Sequence, residues 1–323
     1  MVVTRNSLSL DLSRHLAGFL VAYQAADRQI AVGLSGGCDS VVLLHALSRL
    51  DPALRLSAIH VDHGLSPNAA DWRVFCENFC KSLDIPLLVQ SVTVNRKNGL
   101  GLEAAARQAR YAVFRQSAAD CLLLAQHRGD QAETVLFNLL RGSGVTGASG
   151  MPAERQLGAL RLLRPLLPVS RADLLNYAQS HGLTWVDDES NADTALTRNF
   201  LRHEVLTVIN QRFPAAESAL AQAACNFSEA VGLLDELAAQ DCLVAQDGET
   251  AQLTALRTLT SPRLKNLLRY RLRQLGWQVP VAARLDEFVR QLLIAAPGRH
   301  PELSLPDGRM QVAQRRLHWL PQK

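Results

Sequence analysis

What most constrains this chain is an alternation, repeated four times before Leu140, of a short apolar run and a longer helical pattern. Residues 29–34 (QIAVGL), 56–61 (LSAIHV), 86–94 (PLLVQSVTV) and 121–125 (CLLLA) read as strands. Each is followed by apolar residues at helical spacing, over 40–50, 68–83, 102–118 and 130–140. Strands joined by helices in one sheet use right-handed crossovers, so the pattern predicts an α/β, doubly wound parallel sheet covered on both faces. Ligands of such sheets sit beyond the carboxyl ends of the strands. The loops that matter therefore begin at Ser35, Asp62, Asn95 and Gln126.

Past Gly142 the alternation loosens into a glycine-rich stretch, then a helix near 171–181. After Arg212-Phe213-Pro214 the texture turns leucine- and alanine-rich, with a long helix over 215–239. Only 5% of residues are aromatic, which favours helices over a sandwich or barrel. We expect a domain boundary at Pro214, giving domains 1–213 and 214–323, the second mainly helical. Charge divides in the same direction. From Thr250 onward there are 13 Lys and Arg against 4 Asp and Glu, while the rest of the chain holds 21 against 26. A basic block on a mildly acidic body suits a polyanion gripped at one end, although an arginine-rich solvated helix face gives the same count.

Nothing in the chain predicts a membrane span, because no uncharged apolar run reaches about 18 residues. The apolar N-terminal stretch carries Leu12, Leu16, Phe19, Leu20 and Tyr23 at helical spacing with Asp11, Arg14 and His15 between them, and reads as an amphipathic helix rather than a leader. The six cysteines contain no C-x-x-C pair. Cys76 and Cys80 share one helix face and read as packed thiols, which points to a reducing, cytoplasmic compartment.

The loop after the first strand is Ser35-Gly36-Gly37-Cys38-Asp39-Ser40. Glycines turn the backbone tightly, and the following helix adds its N-terminal amides, which together form an anion nest. Ser35 and Ser40 can donate to phosphate oxygens. Asp39 beside a phosphate is repulsive unless Mg²⁺ bridges the two. No Walker-type lysine follows, and G-x-G-x-x-G is absent.

Three further stretches bear chemistry. His60-Val61-Asp62-His63 ends the second strand, as a polar strand cap or as metal ligands, though a zinc site would need partners of matching spacing. Arg107 and Arg110 share a face near the start of the third helix, where the dipole does not favour cations, so an anionic ligand explains them better than helix stability does. Glu103 forms an i,i+4 pair with Arg107. Gln126-His127-Arg128-Gly129-Asp130-Gln131-Ala132-Glu133 follows the fourth strand, with Gly129 expected at the helix N-cap and Asp130 as its first residue. Later come Trp185-Val186-Asp187-Asp188-Glu189-Ser190-Asn191 and Arg198-Asn199-Phe200-Leu201-Arg202, acids and bases that could pair at a domain edge.

The hexapeptide resembles the signature of the N-type ATP pyrophosphatases, the PP-loop superfamily. Taken in order with the other stretches, with Arg141-Gly142-Ser143-Gly144 and with Arg164-Pro165-Leu166-Leu167, it resembles the tRNA(Ile)-lysidine synthetases. The likeness is closest from Ile30 to Phe213. That family usually has two aspartates where this chain has Gly129-Asp130. The resemblance implies an adenine-nucleotide alpha-hydrolase-like fold and a carbon–nitrogen ligase that uses ATP and Mg²⁺. It would join free lysine to the wobble cytidine of tRNA(Ile) with a CAU anticodon. No membrane is implied, and homodimerisation is left open.

By the same resemblance Ser35, Gly36, Gly37, Cys38, Asp39 and Ser40 cradle the β- and γ-phosphates, and Asp39 and Asp130 hold the metal. His127, Asp130 and Glu133 take metal, lysine or proton-transfer roles. Arg107 and Arg110 meet the α-phosphate or the lysine carboxylate. Arg198, Arg202, Arg263, Lys265, Arg269, Arg271 and Arg273 contact tRNA. The competing readings are a PP-loop tRNA thiolase and a non-catalytic nucleotide- or tRNA-binding relative disabled at Gly129.

Overall fold

The computed structural model describes residues 11–94, 101–245, 248–296 and 298–322. The loop expected at Asn95, and the side chain of Glu103 with its expected pairing, lie outside the described residues. In chain order the elements are α1 (Leu12–Ala22), β1 (Gln29–Gly33), α2 (Cys38–Ser48), β2 (Arg55–Asp62), α3 (Ala69–Ser82), β3 (Leu87–Ser91), α4 (Leu102–Phe114), β4 (Cys121–Leu123) and α5 (Arg128–Leu140). There follow α6 (Val145–Ala148), β5 (Glu154–Leu157), β6 (Leu160–Leu163), α7 (Arg171–Ser180), α8 (Thr197–Phe200), a π turn (Leu201–Val205), α9 (Leu206–Arg212) and α10 (Ala216–Val244). The remainder is β7 (Thr250–Gln252), α11 (Leu253–Leu256), α12 (Ser261–Gln274), α13 (Ala282–Ile294), β8 (Glu302–Leu305), β9 (Gly308–Ala313) and β10 (Arg316–Pro321). Packing divides the chain into two units, Met1–Asn226 and Phe227–Lys323, and the division falls within α10.

The first unit is built on a six-stranded sheet in the order β3-β2-β1-β4-β6-β5. All neighbours are parallel except β5, which turns back antiparallel to β6. The four expected strands are present. β5 and β6 were not expected: β5 reads E-R-Q-L, without an apolar run, and β6 is four residues long with Arg161 inside it. Helices cover both faces. Ile30, Val32, Cys121 and Leu123 face one core with Leu16, Leu44 and Leu47, while Ala31 and Leu122 face another with Tyr111 and Phe114. Burial on both sides explains why β1 and β4 read as continuous apolar runs rather than alternating ones. Cys76 and Cys80 are buried free thiols inside the first of these cores, as their spacing predicts.

The strand order reverses at β1: β2 and β3 lie to one side of it and β4 to the other. Such a reversal parts the connecting loops and opens a crevice at the carboxyl ends of β1 and β4. The loops beginning at Ser35 and Gln126 therefore face each other across it.

The second unit keeps its expected helices but adds a four-stranded antiparallel sheet, β7-β10-β9-β8. Leu303, Leu305, Met310, Val312, Leu317 and Trp319 alternate along its strands and pack on Leu264, Leu268 and Leu272 of α12 and on Leu285 and Phe288 of α13. Gln314 and Arg315 make the β9–β10 turn with φ of 49° and 60°, a left-handed pair that favours Asn-Gly. Among the described residues no helix is long and apolar enough to cross a membrane.

Candidate active site

The first helix of the sheet starts earlier than its apolar spacing suggests. α2 begins at Cys38 with Gly37 as N-cap, so Asp39 and Ser40 stand in its first turn rather than in the loop. The loop is shaped by its two serines. Ser40 Oγ donates to the Gly37 carbonyl (2.9 Å), accepts from the Ser35 amide (3.2 Å) and lies 3.1 Å from Ser35 Oγ. Gly36 has φ +90°, and its carbonyl accepts from the Val186 amide at 3.0 Å. A Cβ there would stand 2.7 Å from Val186 Cγ2, so both conformation and space require glycine.

Opposite this cradle, α5 begins one residue after His127, which is its N-cap. Gly129 is thus not the cap, as its position after the strand suggested, but a first-turn residue. The cap is reciprocal: the Gly129 amide donates to His127 Nδ1 (3.0 Å) and the His127 amide donates to Asp130 Oδ2 (2.9 Å). Because Nδ1 accepts from the backbone, the proton of the neutral ring sits on Nε2. That nitrogen points between Asp39 Oδ2 and Asp130 Oδ2, 3.7 Å from each. Asp39, His127 and Asp130, expected together, do meet at one point.

The carboxylates are balanced by two arginines. Arg171, at the start of α7, donates from Nη1 to Asp39 Oδ2 at 2.6 Å. Arg202 donates from Nε to Glu133 Oε1 (2.5 Å) and from Nη2 to Glu133 Oε2 (3.0 Å) and Asp130 Oδ1 (3.1 Å). Arg202 thus turns into the site, whereas the sequence assigned it to tRNA. Arg202 is carried on the π turn that follows α8. Burial raises the Asp39 carboxyl above its usual range, against His127 and Arg171, which lower it. Burial raises Glu133 likewise, against Arg202. Arg171 lies 132 residues from Asp39, and no local spacing pointed to it.

The donor set fits a hard divalent cation. Asp39 Oδ1 is buried with no hydrogen-bond partner. Among the described residues no group of three or more His, Cys, Asp or Glu side chains could hold a metal unaided. Asp39 and Asp130 are the two carboxylates that would hold such a cation, and one or two carboxylates are the usual protein share for Mg²⁺, which otherwise takes phosphates and water.

Two adjoining cavities occupy the crevice. One, of about 570 Å³, is walled by Ile59, Val61, Leu65, Phe114 and Leu124 and suits an apolar ring system. The other, of about 360 Å³, holds Ser35, Asp39, Gln126, Asp130, Arg171 and Arg202 and suits phosphates. Arg110 lines both. Arg107 lines the second, its guanidinium donating to Tyr111 Oη at 3.0 Å. The H-x-D-H stretch is a strand cap rather than a metal site: buried His60 Nδ1 lies 2.9 Å from the Leu34 carbonyl, and Asp62 accepts from the Gly64 amide. Asp187 and Asp188 serve local turns, accepting from Trp185 Nε1 and the Ser190 amide. Arg198 is half-buried on α8.

The basic residues of the second unit are largely engaged there. Arg263 pairs with fully buried Asp241, Arg273 with Asp235, and Lys265 with Asp286 at 2.9 Å. Arg271 donates to the Gly248 carbonyl and stacks over Trp319. Arg269 is half-buried on α12.

Comparison with known proteins agrees with this geometry. Residues 8–209 match the family model described as a PP-loop domain, and residues 252–318 match the TilS substrate binding domain. The chain is similar to the tRNA(Ile)-lysidine synthase of Nitrosomonas europaea, at 45% identity over 84% of this chain and 60% of that protein. Against the enzyme named so in Alkalilimnicola ehrlichii, identity is 43% over 96% of this chain and 69% of that one. For Aromatoleum aromaticum the figures are 47%, 90% and 68%. The chain thus spans 60 to 69% of the length of these relatives. Among solved structures, the U34-tRNA thiolase NcsA from Methanococcus maripaludis shares the fold, with a TM-score of 0.56 at 17% identity over 68% of this chain and 79% of that one. A PP-loop match over most of the first unit, a substrate-domain match in the second, and relatives above 40% identity along most of the sequence converge: the chain belongs to the tRNA(Ile)-lysidine synthase family.

Proposed function

We propose that this chain adenylates O2 of the wobble cytidine in tRNA(Ile) with a CAU anticodon and lets the ε-amine of free lysine displace AMP. Lysidine, AMP and pyrophosphate are the products, and the reaction is that of a carbon–nitrogen ligase. The observation that carries the reading is the meeting of the Ser35–Ser40 cradle with Asp39, Asp130 and the Nε2–H of His127. Backbone amides and the serine hydroxyls receive the β- and γ-phosphates, which stabilises charge on departing pyrophosphate. Asp39 and Asp130 would hold Mg²⁺, which supplies further neutralisation of the polyphosphate when bound. Arg110, at the junction of the two cavities, and Arg107 beside it stand where an α-phosphate would lie. Glu133, 3% exposed and bonded by Arg202 through both oxygens, would act by holding that arginine rather than by meeting the amine.

The second unit, residues 214–323 in the sequence reading, would hold the tRNA in the cytoplasm, with Arg269 among the cations that carry no ion pair to another described residue. The thiolase reading is less well supported. Burial pushes the thiols of Cys38 and Cys80 up to about 11 and that of Cys76 to about 12, which suppresses the thiolates that sulfur transfer needs. The deciding experiment is ATP–pyrophosphate exchange with purified chain and tRNA(Ile), followed by lysine incorporation. We expect exchange that depends on tRNA and incorporation that depends on both. Nucleotide and tRNA binding without exchange would replace this reading with that of a non-catalytic relative.

A further inference from the structure

Arg171 stands out among the groups that face Asp39. It is the first residue of α7, an end already closed by the reciprocal Ser170–Asp173 cap, so the helix does not need its side chain there. A cation at a helix N-terminus is opposed by the dipole. Nevertheless Arg171 reaches across to Asp39 Oδ2 at 2.6 Å and leaves Oδ1 buried without a partner. The pair is unequal: the Arg171 side chain is 46% exposed and that of Asp39 24%, so the guanidinium is free to swing while the carboxylate is fixed in α2. Arg171 also lines the polar cavity next to the cradle. The other charged groups facing Asp39 are His127 and Asp130, with Arg202 beyond Asp130.

Resting on the reading of this crevice as an MgATP site, we propose that Arg171 is a movable counter-ion, which occupies Asp39 before nucleotide arrives and passes to the polyphosphate when a divalent cation takes its place. One displacement resolves two conflicts. A divalent cation approaching Asp39 meets the guanidinium already on Oδ2, and a polyphosphate approaching Asp39 and Asp130 meets two carboxylates. After the exchange the carboxylate faces the metal and the guanidinium faces phosphate oxygens, for which its planar fork is suited.

The exchange has an unusual signature, because one substitution should move two affinities in opposite directions. Mn²⁺ binding, followed by electron paramagnetic resonance without nucleotide, should be about fivefold tighter in Arg171→Ala, since the competing ion pair is gone. Binding of the Mg²⁺ complex of α,β-methylene ATP should be about tenfold weaker, since a charged hydrogen bond is lost. Arg171→Lys should return Mn²⁺ affinity towards wild type and leave nucleotide binding weak, because it restores the charge but not the fork. Unchanged or weaker Mn²⁺ binding in Arg171→Ala would overturn the proposal, as would an Arg171→Ala chain that binds no Mn²⁺ by itself. Opposite shifts in a chain that never adenylates tRNA would uphold the counter-ion and refute the lysidine reading. Normal adenylation with unmoved Mn²⁺ affinity would do the reverse.

Discussion

Gly129 stands where the sequence resemblance implies an aspartate, and the structure changes what that exchange means. A Cβ at this position would lie 2.8 Å from Cε1 and 3.1 Å from Nδ1 of His127, a ring only 5% exposed. The glycine therefore makes room for the histidine to cap α5, and an added side chain acts by sterics before it acts by charge. Gly129→Ala should lower tRNA-dependent adenylation about tenfold, equivalent to a coupling of about 1–2 kcal/mol. In a His127→Ala background the same change should cost almost nothing, and a double-mutant cycle on rate checks this. His63 offers a second test at this scale. Burial, and secondarily Arg110, pull its imidazole down from 6.5 to about 4. A depressed histidine contributes stability that is complete above 6.5 and is lost as the pH falls towards 4. Urea unfolding across that interval should lose stability in wild type, and lose less in His63→Gln.

At the level of elements, the π turn is the clearest test of how the carboxylates are held. Glu133 is 3% exposed and Arg202 36%, so Arg202→Met leaves a buried charge short of its partner. The expected loss is about 2 kcal/mol, below the range for fully buried pairs because Arg202 reaches solvent. If Arg202 instead served tRNA, denaturant stability would stay put and only the tRNA affinity would fall. The elements around this site were unevenly legible. β1, β2 and β4 could be read because apolar runs end in glycines or polar caps, and the cradle because its residues are consecutive. The pairings of Arg171 with Asp39 and Arg202 with Glu133 join positions 132 and 69 residues apart, which local spacing does not encode. The second sheet was hidden for another reason. Its strands do alternate, but the β9–β10 turn is Gln314-Arg315, without the Asn-Gly that announces a hairpin, and the surrounding leucines and arginines suit helices equally well.

Across the whole molecule, the basic C-terminal block has to be divided into residues that fold and residues that bind. Arg263 and Arg273 neutralise Asp241 and Asp235, so replacing either should lower the unfolding midpoint as well as any tRNA affinity. Arg269→Gln should leave the midpoint unchanged while flattening the salt dependence of tRNA binding, because one fewer counterion is released. Filter binding over a salt series, beside urea melts, separates the two classes. The crevice has a further consequence. Both loops that supply its chemistry issue from β1 and β4, whose residues Ile30, Ala31, Val32, Cys121, Leu122 and Leu123 are wholly shielded from solvent. Strands of that kind open only with the entire unit, so their amides should exchange among the slowest in the chain. The two loops inherit that anchorage, and on the proposed function warming should not silence this site in advance of melting. Activity and cooperative unfolding should vanish over the same few degrees, so that a heat-damaged population contains competent molecules and denatured ones, with few idle native ones between.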